Sequence, residues 1–188
     1  MLSWFRKKTA EVTQARADVA QAVAEETQSF MIQIEGALGG MPRRMLEDAF
    51  VIGAIAAHSA ITSKVFTNGQ CPLSVVERAM VIGVQRTFMA AAVTREEALG
   101  ALFQFKNHPE YTRASQAVTL ILAAKYSRRD LATDPLLLDA KKKLKGMPAA
   151  FRESFGPNEA EQAASLLTQD LLLKPLKEKY GNLWAAKT

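Results

Sequence analysis

The sequence predicts an all-α protein: a long N-terminal helix leading into a compact orthogonal or antiparallel bundle of five to seven helices. Three observations carry that expectation. Period-two alternation of apolar and polar residues is absent over useful lengths, and the β-branched residues are scattered. Caps, glycines and prolines recur at helix-length intervals. Alanine is abundant while aromatics make up only 7% of the 188 residues, a composition suited to closely packed helices. The apolar fraction of 48% is enough for one sizeable core. Residues 1–29 read as an amphipathic helical arm and residues 30–188 as a single helical-bundle domain.

The first helix is expected from Ser3 to Leu38. Phe5, Val12 and Val19 fall seven apart, and so do Val23, Phe30 and Ala37, shifted by four, which makes one apolar stripe with a stutter. The stripe is thin before Phe30 and dense after it, so the far end belongs to the core and the near end projects. Gly39 and Gly40 stop this helix. A second helix is expected from Pro42 to Phe66 and a third from Pro72 to Val93, where Ser74 and Glu77 have capping-box spacing. Thr94 and Glu97 repeat that spacing and open a fourth, to Lys106. A fifth, Glu110 to Arg129, is nearly all apolar over residues 117–126 and should be central. Asp134 and Pro135 start a short basic helix. A helix from Pro157 to Leu173 follows, then a break at Pro175 and a last turn near Trp184.

The segments LEDAFVIG at 46–53 and VERAMVIG at 76–83 nearly repeat each other. Aligned at offset 30, residues 39–53 and 69–83 share a glycine, a proline, a glutamate, an alanine and the Val-Ile-Gly triplet. Ala49 with Gly53, and Ala79 with Gly83, are small residues four apart and mark a face where another helix approaches closely. Residues 99–113 do not continue the pattern, which argues against a solenoid. Two consecutive core helices with the same start and the same contact face account for it.

The residues that carry chemistry point away from catalysis. Glu47 and Glu77 form an imaginable carboxylate pair, but no Glu-x-x-His occurs to complete a di-iron site. Their ordinary role is at helix N-termini, where they cap, pair with Arg43, Arg44 or Arg78, or face solvent. His58, inside an uncharged stretch, suits either a satisfied core histidine or the centre of a small-ligand or metal site. His108, before Pro109, reads as a cap. The single cysteine, Cys71, allows no intramolecular disulfide and suits a reducing compartment. Ser59 and Ser63 lack a nucleophile elbow, and no phosphate loop or dinucleotide fingerprint occurs. No enzyme activity, metal or cofactor is expected.

Two surface features remain. Leu2, Trp4 and Phe5 beside Arg6, Lys7 and Lys8 have the make-up of a contact for a membrane surface or a partner. Arg128 and Arg129 with Lys141, Lys142, Lys143 and Lys145 form a basic patch. The formal charge of +5 arises wholly from residues 101–188. No signal peptide is expected, and the uncharged run Ala49–Ser63 is shorter than the ~20 residues of a spanning helix. The expected function is a non-catalytic bacterial adaptor or assembly subunit, cytoplasmic or peripheral at the inner membrane. Its partner is another protein, either a membrane-complex subunit or a second copy in a homodimer. The alternatives are a nucleic-acid-binding regulator using the basic half, and a ligand or metal protein centred on His58.

Overall fold

A computed structural model describes residues 2–127 and 132–181, with side chains from Gln14 onward. It is all-α: the chain is 80% helical, and its helices pack into one bundle with no strand among the described residues. The helices are α1 (Leu2–Leu38), α2 (Ala49–Phe66), α3 (Leu73–Thr87), α4 (Arg95–Phe105), α5 (Pro109–Lys125), α6 (Pro135–Lys145), α7 (Ala149–Glu153), α8 (Glu159–Thr168) and α9 (Lys174–Tyr180).

α2 is the axis of the bundle. Apolar on every face, it is 72% buried and packs against α5, α3 and α1. It is long and apolar enough to cross a membrane by length and composition, yet its surroundings here are the other helices. α1 lies beside α3 in the same direction. Ala20 and Val23 pack with Val75 and Ala79, Thr27 faces Gly83, and Arg86 reaches Glu25 at 3.4 Å and Gln28 at 3.2 Å. α5 and α8 close the other side, and α6 packs its buried Leu137, Ala140 and Leu144 onto them.

Among the described side chains of α1, full burial begins at Ala20, ahead of the dense apolar segment that starts at Phe30. Small side chains explain this: Ala20, Val23 and Ala24 are completely buried although they carry little apolar surface.

The near-repeat is structural at its start and then diverges. Gly39 and Gly69 both take φ of +83°, a left-handed conformation that ends the preceding helix at low cost. Pro42 and Pro72 both precede a helical turn in extended conformation. From Pro72 the chain continues as α3. From Pro42 it makes only a 3₁₀ turn, Arg43–Glu47, and α2 begins at Ala49 rather than Pro42. The cause is Asp48, where the second copy has Arg78. The Asp48 carboxylate accepts from the N–H groups of Phe50 at 2.8 Å and Val51 at 3.3 Å, which starts a fresh helix.

Other boundaries also moved. Ser74 does not cap α3, because Pro72 holds the cap position and Ser74 already lies inside the helix. α3 stops at Thr87 rather than Val93, followed by a 3₁₀ turn at Met89–Ala91 and Ala92 at φ +49°. α5 stops at Lys125, with Ser127 at φ +50°. Pro175 does not break the chain. A π-helical turn, Gln169–Leu173, joins α8 to α9, and its wider winding accommodates the ring and the missing N–H. Trp184 lies outside the described residues.

The caps at α4, α5 and α6 formed as their spacing suggested. Thr94 and Glu97 make a reciprocal capping box at 3.2 and 2.8 Å. His108 Nδ1 accepts from Glu110 N–H at 3.2 Å, and Asp134 accepts from Leu136 N–H at 2.9 Å.

Candidate functional site

The small-residue face at Gly83 adjoins Thr27, the hydrogen-bond partner of His58, whereas the described lysines of the basic patch lie on α6. The side chains of Leu2, Trp4, Phe5, Arg6, Lys7 and Lys8 lie outside the described residues, although the helical backbone of α1 runs through them. Beyond them Gln14, Ala15 and Arg16 are exposed, and Val19 is half-buried. Arg128 and Arg129 also lie outside the described residues. Lys142, Lys143 and Lys145 are exposed on the face of α6 opposite its buried leucines, with Lys141 partly covered. Lys143 is held by Asp139 at 3.0 Å and Asp170 at 3.3 Å; these partners raise its pKa and neutralise part of the patch.

Ala49, Gly53, Ala79 and Gly83 are all buried. A Cβ on Gly53 would stand 2.6 Å from the carbonyl oxygen of Tyr111, so α2 and α5 touch backbone to backbone there. A Cβ on Gly83 would stand 2.9 Å from Ser59 Oγ and 3.3 Å from the Thr27 methyl, where α3 meets α2 and α1.

Glu47 and Glu77 are exposed on separate elements. The arginine partner expected for Glu47 goes elsewhere: Arg43 pairs with Glu97 and donates to Ala91 O at 2.7 Å, tying the 3₁₀ turn to α4. No group of three or more His, Cys, Asp or Glu side chains is placed to hold a metal ion among the described residues.

His58 has a built environment. It is 1% exposed and sits halfway along α2, where α1, α5 and α8 converge. Phe30 stacks on its ring with centroids 4.4 Å apart and planes 19° apart. Nδ1 meets Thr27 Oγ1 at 3.1 Å and Thr62 Oγ1 at 3.5 Å. Thr27 donates its own proton to Val23 O at 2.9 Å and also meets Ser59 Oγ at 3.1 Å. Thr27 donates to Val23 O and Thr62 Oγ1 has Nδ1 as its partner, so Nδ1 carries the hydrogen bonds of the ring in either neutral tautomer. Burial pushes the pKa of His58 down to about 4; Glu26 pulls it up and Lys125 pulls it down.

The hydrogen bonds of His58 among the described residues all run through Nδ1. No fully buried side-chain nitrogen or oxygen lacks a partner, so Nε2 opens to the cavity that His58 lines. That cavity measures about 280 Å³ and is also lined by Glu26, Lys125, Glu161, Gln33 and Thr168. Glu26 and Lys125 form an ion pair at 2.6 Å between α1 and α5. Burial disfavours the charged Lys125, but the hydrogen bond and charge of Glu26 outweigh it and raise its pKa.

A second polar cluster escaped the sequence reading. The buried carboxylate of Asp48 caps α2 and also receives the Tyr180 hydroxyl and Lys179 Nζ, the latter at 2.6 Å, so it ties α9 to the start of α2. Burial works to raise the Asp48 pKa, yet Lys179, Tyr180 and the two backbone N–H groups bring it below the ordinary carboxylate value. Burial and the Asp48 carboxylate push the Tyr180 hydroxyl well above its ordinary value. An aspartate immediately before an apolar run was the available signal for the cap. Nothing local signals its C-terminal partners, 132 residues away.

No protein-family model matches the chain, and neither a curated protein nor a solved structure matches it.

Proposed function

We propose that the protein is a non-catalytic helical adaptor or assembly subunit that engages another protein through the N-terminal part of α1. One observation carries this reading: α1 is 37 residues long, and among its described side chains Gln14, Ala15 and Arg16 are exposed and full burial begins at Ala20. The stretch ahead of Ala20 spans about 27 Å of helix at 1.5 Å per residue. An isolated helix of that length is marginal in water, and most helical stability comes from packing an apolar face. Leu2, Trp4, Phe5 and Val12 supply such a stripe, and docking on a partner would cover it. The adjoining Arg6, Lys7 and Lys8 suit a partner at an anionic membrane surface, which supports the reading of a cytoplasmic protein peripheral at the inner membrane. Nucleic-acid binding is the weaker reading, because Lys143 is already satisfied by two aspartates.

The test is deletion of residues 1–13. The shortened chain should melt within a few degrees of the full chain, yet lose recovery of a stoichiometric partner from the native host and lose retention on anionic vesicles. A steep fall in melting temperature with recovery unchanged would make the arm part of the core and end this reading.

A further inference from the structure

We infer that the cavity above His58 is a binding site for a small organic amine carrying a second hydrogen-bond donor, such as an amino alcohol or a short diamine. This goes beyond the adaptor reading and stands independently of it. Four features point to that class. Exposure grades outward: His58 is 1% exposed, whereas the Glu26 and Lys125 side chains are 31% and 40% exposed, so the histidine is the floor and the ion pair the rim. The floor offers a ring nitrogen: Nδ1 takes the bonds to Thr27 and Thr62 and Nε2 faces the cavity, where the tautomer protonated at Nδ1 makes it an acceptor. The rim holds two carboxylates, Glu26 and Glu161, against one ammonium, Lys125, so the lining carries a surplus negative charge that favours a cation. The volume of about 280 Å³ lies at the small end of ligand cavities and excludes large cofactors.

Each group then has a role in binding. The ligand's ammonium is held between Glu26 and Glu161, and Lys125 moves from Glu26 toward solvent, where it is already partly exposed. The ligand's hydroxyl or second N–H donates to Nε2 of His58. Phe30 holds the imidazole plane by stacking, so the lone pair is aimed before the ligand arrives. Glu161 is tethered by Asn158, whose Nδ2 donates to Glu161 Oε1 at 3.0 Å, leaving the second carboxylate oxygen for the ligand.

The chain has two histidines, so imidazole nitrogen NMR on the full-length protein reads the site directly. The probe is ethanolamine, with glycerol and acetate as neutral and anionic controls. Ethanolamine should move the His58 Nε2 resonance saturably and leave that of His108 in place. Glu161→Gln retains a capping-competent side chain at an exposed position and should weaken the titration about tenfold, the loss of one charge-assisted contact. Glu26→Gln should do the same. An unmoved His58 resonance overturns the proposal. So does equal movement by glycerol or acetate, or a titration that neither glutamine variant alters.

Discussion

At Gly53 the missing side chain is itself the structural feature. A methyl group there would lie 2.6 Å from the Tyr111 carbonyl oxygen and 2.8 Å from its Cα, both backbone atoms that cannot rotate aside. Gly53→Ala should therefore lose about 1–3 kcal/mol in denaturant unfolding as α2 and α5 are forced apart. Gly100, inside α4, meets nothing within 4 Å. Gly100→Ala should gain up to about 1 kcal/mol from helix propensity and a less flexible unfolded chain. A Gly53→Ala midpoint equal to wild type would mean that the two helices have room to spare. His58 makes a different residue-scale prediction. Its pKa falls from 6.5 to about 4 on folding, so between those values the unfolded chain binds a proton that the folded chain refuses. This contribution to stability is complete above pH 6.5 and is lost progressively as the pH falls toward 4, reaching about 3 kcal/mol. Unfolding measured at pH 7.5 and 4.5 should show the loss in wild type and a smaller one in His58→Gln. Equal losses would assign the acid sensitivity to other groups.

The elements are held by two kinds of device, and they differ in how far the sequence reveals them. Thr94–Glu97, Asp134–Pro135 and His108–Pro109 act within one turn of chain, so spacing alone located the starts of α4, α5 and α6. Thr94→Ala should cost about 1 kcal/mol, read as a lowered urea midpoint. The device at the start of α2 is half local. Asp48 as a cap follows from its place before an apolar run, but the proline at 42 offered an earlier start, and the 3₁₀ turn between them was hidden. Its ties to Lys179 and Tyr180, like the π turn that admits Pro175, depend on where α9 lands and leave no local trace. The His58 site is similarly non-local. His58 alone stood out in sequence, while Glu26 and Lys125 are 99 residues apart and meet only once α1 and α5 pack. The Asp48 clasp carries a pH signature separable from that of His58. Its folded pKa lies below the ordinary 3.8, so its contribution is present above that value and is lost as the pH falls through the folded one. Asp48→Asn should flatten the acid limb below pH 4 and leave the window from 6.5 to 4 unchanged. An unaltered limb would show that the clasp does not govern it.

Across the whole molecule, the two ends of the chain stand in opposite relations to the core. Among the described side chains of α1, Gln14, Ala15 and Arg16 are exposed and full burial begins at Ala20. The π turn and α9 close the bundle: Leu172 and Leu176 are buried at 0% and 2% exposure, and Tyr180 and Lys179 complete the Asp48 cluster. Removing residues 174–188 would uncover the apolar surface beneath Leu176 and leave a carboxylate, 1% exposed in its side chain, with backbone N–H partners alone. The loss of one buried aliphatic side chain and of both side-chain partners of a buried charge comes to about 2–4 kcal/mol. For a chain of this size that lowers the melting temperature by about 5–15 °C. Lys179→Ala with Tyr180→Phe, which keeps α9 and the packing of Leu176, should reproduce only part of the drop, and the remainder measures the apolar share. The same truncation should leave vesicle retention by the N-terminal arm intact, because it keeps Leu2, Trp4, Phe5, Arg6, Lys7 and Lys8. If the truncated chain instead melts with the full one, α9 is a loosely held appendage, and Asp48 must find in water what Lys179 and Tyr180 give it here.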